Sequence, residues 1–127
     1  AALPNVEINT IKFGFNQAVV REEEMVNLDR IGQWMENILA SHPKEMFAIE
    51  GHTDLVGSDT DNLKLSRSRA VGVKHALVSY FNIAPQSLTI VGLGERFPRL
   101  KTEKAERKNR RIIVRRLTPL ICKVAKN

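Results

Sequence analysis

Hydrophobic and polar positions along the chain follow two periodicities, one typical of strands and one typical of helices. Residues 6–15 (VEINTIKFGF) alternate with a period of two, which predicts a first strand. From about residue 21 to residue 41, apolar side chains recur at steps of three and four, which predicts a helix with one buried face. The apolar positions of that face are Met25, Leu28, Ile31, Met35 and Ile38. The helix should end near residue 41, because Pro43 disfavours helical backbone at His42.

The same two periodicities recur in the second half of the chain. Residues 46–50 predict a second strand, and the polar stretch GHTDLVGSDTDN that follows it is typical of a loop. A second helix is predicted from Leu63 onwards, with apolar residues again at helical spacing. Those residues are Ala70, Val73, Leu77 and Phe81. Residues 88–91 and 111–117 predict two further strands.

The predicted order of elements is strand, helix, strand, helix, strand, strand. Helices between strands imply crossover connections and a partly parallel sheet, although the last strand need not be parallel. A two-layer α+β sandwich, with a mixed sheet and both helices on one face, buries both helical faces. At 127 residues the chain has the size of one domain. Residues 1–117 are assigned to that domain, and residues 118–127 to a basic C-terminal tail.

The net charge of +6 hides an uneven distribution along the chain. Residues 1–95 hold 8 Lys and Arg and 12 Asp and Glu, whereas residues 96–127 hold 12 Lys and Arg and 2 Glu. A basic block can indicate an anionic partner such as nucleic acid or a membrane surface, but it is also typical of a solvated strand and tail. The block has no recognised nucleic-acid motif, and Phe97 is its only aromatic residue. Binding to nucleic acid or an anionic surface is therefore kept as the alternative function.

Several other classes of protein are disfavoured by the sequence. No apolar run approaches the ~18 residues of a membrane span, so if the natural protein is exported or anchored, the segment responsible is expected outside this sequence. Cys122 is the single cysteine, which excludes an internal disulfide and a thiolate zinc cluster. The chain has no nucleophile-elbow or P-loop motif, and its acidic loop lacks the glycine and glutamate of a calcium loop. We therefore expect no enzyme activity, no cofactor and no metal, and we interpret His52 as a hydrogen-bonding residue that fixes the loop.

Asp54 and Arg69 are the candidate pair for ligand binding. On a helix Arg69 lies one turn before Val73, at the margin of the buried face, where an unpaired charge costs several kcal/mol. Asp54, at the start of the preceding loop, is the candidate neighbour. One alternative is a structural Asp–Arg pair that ties the loop to the helix. The other is that both charges stay available to bind the ammonium and the carboxylate of one ligand, since a guanidinium matches a carboxylate in shape.

The residues around this pair resemble a known family signature. The stretch GHTDLVGSDTDNLKLSRSRAVGV resembles the OmpA-like peptidoglycan-binding domain, which has GHTD, a glycine three residues later, Asn, and then LS-x-x-RA-x-x-V. GLGERFP is similar to the family's Gly-x-Gly-Glu turn, and NRRIIV to its Asn-Arg-Arg before a hydrophobic strand. IKFGFNQAVV resembles the first strand and turn, although Asn16 and Gln17 stand where many members carry Gly-Ser or Asp-Ser. The resemblance covers about residues 8–116.

The resemblance implies a single OmpA-like βαβαββ domain that binds the meso-diaminopimelate side chain of peptidoglycan and thereby anchors an envelope protein to the cell wall. It implies that Asp54 and Arg69 hold the ammonium and carboxylate of diaminopimelate, and that Asn62 also contacts the ligand. The complete set of ligand-binding residues that it implies is Asp54, Arg69, Asn62, Leu65, Phe15, Asn16, Thr53, Arg110 and Arg111. It also implies a periplasmic location, within a protein of the outer membrane or one anchored in the inner membrane. The expected partner is peptidoglycan, not nucleic acid.

Overall fold

Four strands and two helices make up the computed structural model, which describes residues 10–14, 17–54, 56–94 and 110–117. The elements are β1 (Thr10–Lys12), α1 (Met25–Ser41), β2 (Phe47–His52), α2 (Asp59–Tyr80), β3 (Leu88–Gly94) and β4 (Arg111–Arg116). A 3-10 turn at Glu22–Glu24 precedes α1, and a second at Pro85–Ser87 precedes β3. Neither helix in this part of the chain is long and apolar enough to cross a membrane. The predicted tail lies outside the described residues.

The four strands form one open mixed sheet in the order β1-β4-β2-β3. β2 and β3 are parallel, so α2 makes a crossover connection between them, whereas β4 is antiparallel to both β1 and β2. Ile49 in the central strand β2 pairs with Ile90 on one side and with Val114 on the other. The predicted α+β architecture with a mixed sheet is therefore confirmed.

One hydrophobic core lies between the helices and one face of the sheet. Its buried members include Ile11, Leu28, Ile31, Met35, Phe47, Ile49, Val73, Leu77, Ile112 and Val114. Burying an aliphatic or aromatic side chain of this size contributes roughly 1.5–3 kcal/mol, so the core supplies most of the driving force for folding. Met25 was predicted to lie on the buried face of α1, but it is the first residue of the helix and is 40% exposed. The buried face of α1 is therefore shorter than predicted.

Several element boundaries differ from the predicted ones. α2 begins at Asp59, four residues earlier than predicted, because Ser58 caps it. The Ser58 hydroxyl accepts a hydrogen bond from the amide of Asp61 at 3.1 Å, which satisfies one of the unpaired donors of the first turn. β1 ends at Lys12 and not at residue 15.

Two glycines allow α2 to pack directly on the sheet. Gly51 of β2 pairs with Gly92 of β3, and α2 crosses over both. A Cβ atom on Gly51 would lie 2.0 Å from the carbonyl oxygen of Ser66, and one on Gly92 would lie 3.2 Å from the Cβ of Arg67. Both strands therefore run through glycines that the sequence pattern assigns to loops, and only glycine permits this close approach of helix and sheet.

Candidate functional site

Four of the predicted site residues lie at the carboxyl end of β2, where three segments of the chain meet. Thr53 and Asp54 directly follow the last residue of β2. Arg69 lies almost three turns into α2, and Arg110 immediately precedes β4. Asp54 makes an ion pair with Arg110 and interacts electrostatically with Arg69. The structure therefore brings two cations and one carboxylate together.

The Asp54 carboxylate is bound by Arg110. Its Oδ2 atom accepts a hydrogen bond from Arg110 Nη1 at 3.0 Å, and its Oδ1 atom accepts one from the amide of Val56 at 3.1 Å. The side chain of Asp54 is 5% exposed and that of Arg110 is 12% exposed. Each carboxylate oxygen has two acceptor positions, so the group can accept a further donor. Within the described residues, the ion pair of Asp54 is thus made with Arg110 and not with Arg69.

Arg69 is completely buried, and backbone carbonyl groups surround its guanidinium. Nε donates a hydrogen bond to the carbonyl of Gln17 at 2.6 Å. Nη1 donates to the carbonyl of His52 at 3.2 Å, and Nη2 donates to that of Gly14 at 3.1 Å. The guanidinium also lies 5.0 Å from the centre of the Phe13 ring, in the range of a cation–π contact. Because a guanidinium has five N–H groups, these three bonds leave two of them without an acceptor among the described residues.

Arg69 retains its positive charge at neutral pH in spite of this burial. Burial lowers the pKa of Arg69 to about 10; Asp54 opposes this effect and Arg110 adds to it. A pKa of that value leaves the guanidinium protonated throughout the physiological range. Two guanidinium groups and one carboxylate therefore give the site a net positive charge, which favours a ligand that carries at least one carboxylate.

Asn62 and Thr53 shape the loop that carries Asp54. Asn62 is buried, and its side-chain amide donates to the carbonyls of Asp54 at 3.3 Å and Val56 at 3.0 Å. Thr53 is 1% exposed, and its amide donates to the carbonyl of Gly94 at 2.8 Å. In the part of the chain that the structure describes, the Thr53 hydroxyl has no hydrogen-bond partner. A buried hydroxyl without a partner is a candidate contact for a polar ligand.

The remaining predicted residues occupy different surroundings. Leu65 is half-buried on α2, one turn before Arg69. Arg110 lies beside Asp54, whereas Arg111 pairs across the sheet with His52. Because Ile112 points into the core, alternation along β4 places Arg111 on the sheet face away from the helices. The two other predicted contacts, Phe15 and Asn16, lie outside the described residues.

His52 was expected in the loop, but the structure places it in a strand, and the hydrogen bond that it contributes to the site comes from its backbone. His52 is the last residue of β2, and neither nitrogen of its ring has a hydrogen-bond partner within the described chain. Its Nε2 atom lies 3.7 Å from Glu50 Oε1, which is too long for a hydrogen bond. Burial lowers the pKa of His52, and Arg111 lowers it further, although Glu50 acts in the opposite direction. His52 contributes to the site through its backbone carbonyl, which accepts from Arg69.

Two arginines of β4 form ion pairs, one with β2 and one with the turn before it, that sequence reasoning missed. Arg115 Nε lies 2.8 Å from Glu50 Oε2, and Arg116 forms a close ion pair with Glu45. Together with the pair made by Arg110, these contacts neutralise part of the basic C-terminal quarter. The partners of Arg110 and Arg116 lie 56 and 71 residues earlier in the chain. Predicting such pairs requires the antiparallel register of β2 and β4, and the local spacing of residues in the sequence does not reveal that register.

Comparisons of the sequence and of the structure with known proteins point to the same family. Residues 12–111 match the family model described as the OmpA family. The chain is 33% identical over 104 residues to outer membrane porin F of Pseudomonas aeruginosa, a match that covers 80% of this chain and 29% of that protein. It is 34% identical over 108 residues to the peptidoglycan-associated lipoprotein of Buchnera aphidicola, covering 84% and 60% respectively. The structure is similar to the crystal structure of the peptidoglycan-associated lipoprotein from Burkholderia pseudomallei, with a TM-score of 0.74, 27% identity, and coverage of 85% and 89%.

Proposed function

We propose that this chain, which belongs to the OmpA family, binds peptidoglycan non-covalently and anchors a cell-envelope protein to the wall. The names of the lipoproteins from Buchnera aphidicola and Burkholderia pseudomallei, both peptidoglycan-associated, support this proposal. The chain spans less than a third of the length of porin F, so the parent protein is proposed to carry further segments. The proposal assigns the domain to the periplasm and gives it a binding role without catalysis.

The proposed ligand is the meso-diaminopimelate residue of the peptidoglycan stem peptide. The far end of this residue carries an ammonium and a carboxylate on one carbon atom. The observation that carries the proposal is the carboxylate of Asp54 beside the charged guanidiniums of Arg69 and Arg110. In this arrangement the ammonium binds Asp54, which retains free acceptor positions. The carboxylate binds the guanidinium groups, and the Asn62 and Thr53 side chains border the ligand.

The two arginines have different parts in this proposal. The Arg110 side chain is 12% exposed, so part of it is open to a ligand carboxylate. Arg69 is fully buried, so its two remaining N–H groups reach the ligand only if the surrounding backbone moves slightly apart. Arg69 also holds the carbonyls of Gly14, Gln17 and His52 in place, and thereby shapes the site.

Binding to nucleic acid or an anionic surface is less well supported. Arg110, Arg115 and Arg116 each have a carboxylate partner, so they do not present a free basic strand. Nucleic-acid affinity would also fall steeply with salt, because phosphate contacts release counterions. A salt titration against DNA and against a diaminopimelate muropeptide separates the two functions.

Isothermal titration with a diaminopimelate muropeptide tests the proposal. Asp54→Asn keeps the shape of the side chain but removes its charge, and should weaken binding by ~2–5 kcal/mol, since the ligand ammonium loses its partner. The matched control is Glu50→Gln, which breaks the ion pair with Arg115 on the same two strands, outside the site. It should bind like the unaltered protein.

A muropeptide with lysine in place of diaminopimelate gives a second, independent test. The lysine peptide lacks the distal carboxylate, so it should bind much more weakly. Arg110→Gln should reduce the affinity for the lysine peptide less than it reduces the affinity for the diaminopimelate peptide. Equal affinity for the two muropeptides, or unchanged affinity of Asp54→Asn, would refute the assignment of the site.

A further inference from the structure

β3 forms an open edge of the sheet in the part of the chain that the structure describes. It is the last strand in the sheet order, and within this part no strand pairs with its outer side. Its seven residues, LTIVGLG, include no charged residue and no proline. Natural edge strands usually carry such residues to discourage pairing with other chains. β3 is also as long as an ordinary strand, so it offers a complete template for a further one.

The backbone groups that point outward from β3 can be assigned from Leu88. Its amide donates to the carbonyl of Pro85, and its carbonyl accepts from Lys74 Nζ at 3.3 Å, so neither group faces β2. Because backbone groups alternate along a strand, the N–H and C=O groups of Ile90 and Gly92 also point outward. Between residues 56 and 94, and in the other described ranges, no hydrogen bond is made by these groups. Ile90 and Gly92 are only partly buried, so solvent reaches this edge.

α2 places a basic rim above the open edge. The backbone nitrogen of Arg67 would lie 3.2 Å from a Cβ atom on Gly92, so Arg67 projects from α2 directly over β3. Its side chain is exposed. Two turns later, Lys74 reaches the carbonyl of Leu88 on the same edge. Val71 lies between the two cations on α2 and is 45% exposed. The edge is thus bordered by a cation, an apolar side chain and a second cation.

We propose that the β3 edge is a docking site for an extended acidic segment of a partner protein, which joins the sheet as a fifth strand. The backbone of this segment pairs with Ile90 and Gly92, as in other cases of strand addition. Its carboxylates face Arg67 and Lys74, and an apolar side chain covers Val71. A second copy of this chain fits less well, because its own β3 has no carboxylate to offer and it would bring like charges together. The inference does not rest on the proposed wall binding.

Amide hydrogen exchange measured by NMR tests this docking site. The probe is an eight-residue peptide with blocked ends, in which glutamate alternates with valine. It should slow exchange of the Ile90 and Gly92 amides, whereas the same peptide with lysine in place of glutamate should not. The double variant Arg67→Glu/Lys74→Glu should bind the acidic peptide roughly tenfold more weakly, because attraction becomes repulsion at two positions.

The matched control is Arg30→Glu/Lys44→Glu, which makes the same change of net charge at exposed positions of α1 and the turn after it. It should bind the acidic peptide within about twofold of the unaltered protein. Lys74 contacts the backbone of Leu88, so Arg67→Glu alone serves as a variant that leaves this contact intact. Binding of the acidic peptide without protection of the Ile90 and Gly92 amides would overturn the proposal. So would protection that rises with protein concentration in the absence of peptide, which would assign the edge to a second copy.

Discussion

Replacement of Arg69 by methionine tests whether one residue of the proposed site also holds the fold together. Methionine has a similar length and can keep contact with the Phe13 ring, but it cannot donate hydrogen bonds. The carbonyls of Gly14, Gln17 and His52 then lose their donors. Each buried polar group left unpaired costs ~1–3 kcal/mol, which gives a loss of roughly 3–9 kcal/mol for the three.

The removal of a buried charge offsets part of this loss. Burial lowers the pKa of Arg69 to about 10, and the difference from the pKa of a solvated guanidinium corresponds to about 3 kcal/mol of unfavourable environment for the cation. We therefore expect Arg69→Met to reduce the free energy of unfolding by about 3 kcal/mol. This is a large fraction of the ~5–15 kcal/mol typical of a domain. Arg69→Lys should lose nearly as much, because a compact ammonium cannot span three separate carbonyls.

Urea denaturation followed by circular dichroism measures this effect, with the free energy of unfolding obtained by linear extrapolation. Arg67→Met is the matched control, because Arg67 is exposed on the same helix and should change stability by less than ~0.5 kcal/mol. An Arg69→Met protein as stable as the Arg67→Met protein would refute the reasoning, since the three carbonyls would then have no need of the guanidinium. Muropeptide affinity of Arg69 variants is informative only where the variant remains folded.

Two further predictions concern packing and pH. Gly51→Ala should reduce the free energy of unfolding by about 3 kcal/mol, because the new Cβ would lie 2.0 Å from the carbonyl oxygen of Ser66. Gly72→Ala, whose Cβ would lie 3.4 Å from the carbonyl oxygen of Ala18, should raise the free energy of unfolding by ~0.5–1 kcal/mol, and equal urea midpoints for the two variants would contradict the close packing at Gly51. Stability should also fall as the pH falls below 6.5: the pKa of His52 is lowered in the folded protein, so the unfolded chain binds more protons there. Burial alone would raise the pKa of Glu50, but its contacts with His52 and Arg115 outweigh burial and lower it, which adds a further loss below 4.5. Thermal melts across this pH range measure the effect, and the loss of stability just below pH 6.5 should disappear in His52→Gln. A loss that persists in this variant would assign it to another titrating group.

The sequence predicts the type and order of the elements because the hydrophobic periodicity is strong. It fails at boundaries where a tertiary contact decides the outcome. In the sequence Gly51 looks like the end of a strand, but β2 continues through it. Glycine is required at this position because α2 approaches so closely that no side chain fits. The early start of α2 had a local signal, since Ser58 and Asp61 have the spacing of a helix cap.

The structure brings several of the predicted site residues together, but the sequence does not reveal which groups they contact. The position of Arg69 at the margin of a buried helical face indicates that it needs a partner, and Asp54 is the charged residue that spacing suggests. The structure instead supplies the carbonyls of Gln17 and Gly14, 52 and 55 residues away in the chain. Backbone carbonyls have no signature in sequence, because every residue has one. The ligand contacts of Asp54, Arg69 and all the other predicted site residues stay predictions.

The contact between Gly51 and Ser66 has a consequence for how the two charges are spaced. Asp54 lies three residues after Gly51, and Arg69 lies three residues after Ser66. Both side chains are therefore attached by equally short stretches of backbone to a point where main chain touches main chain. Substitutions of core side chains that leave this backbone contact in place also leave these two attachment points in place. The separation between acid and base can thus persist while the hydrophobic interior of the domain diverges.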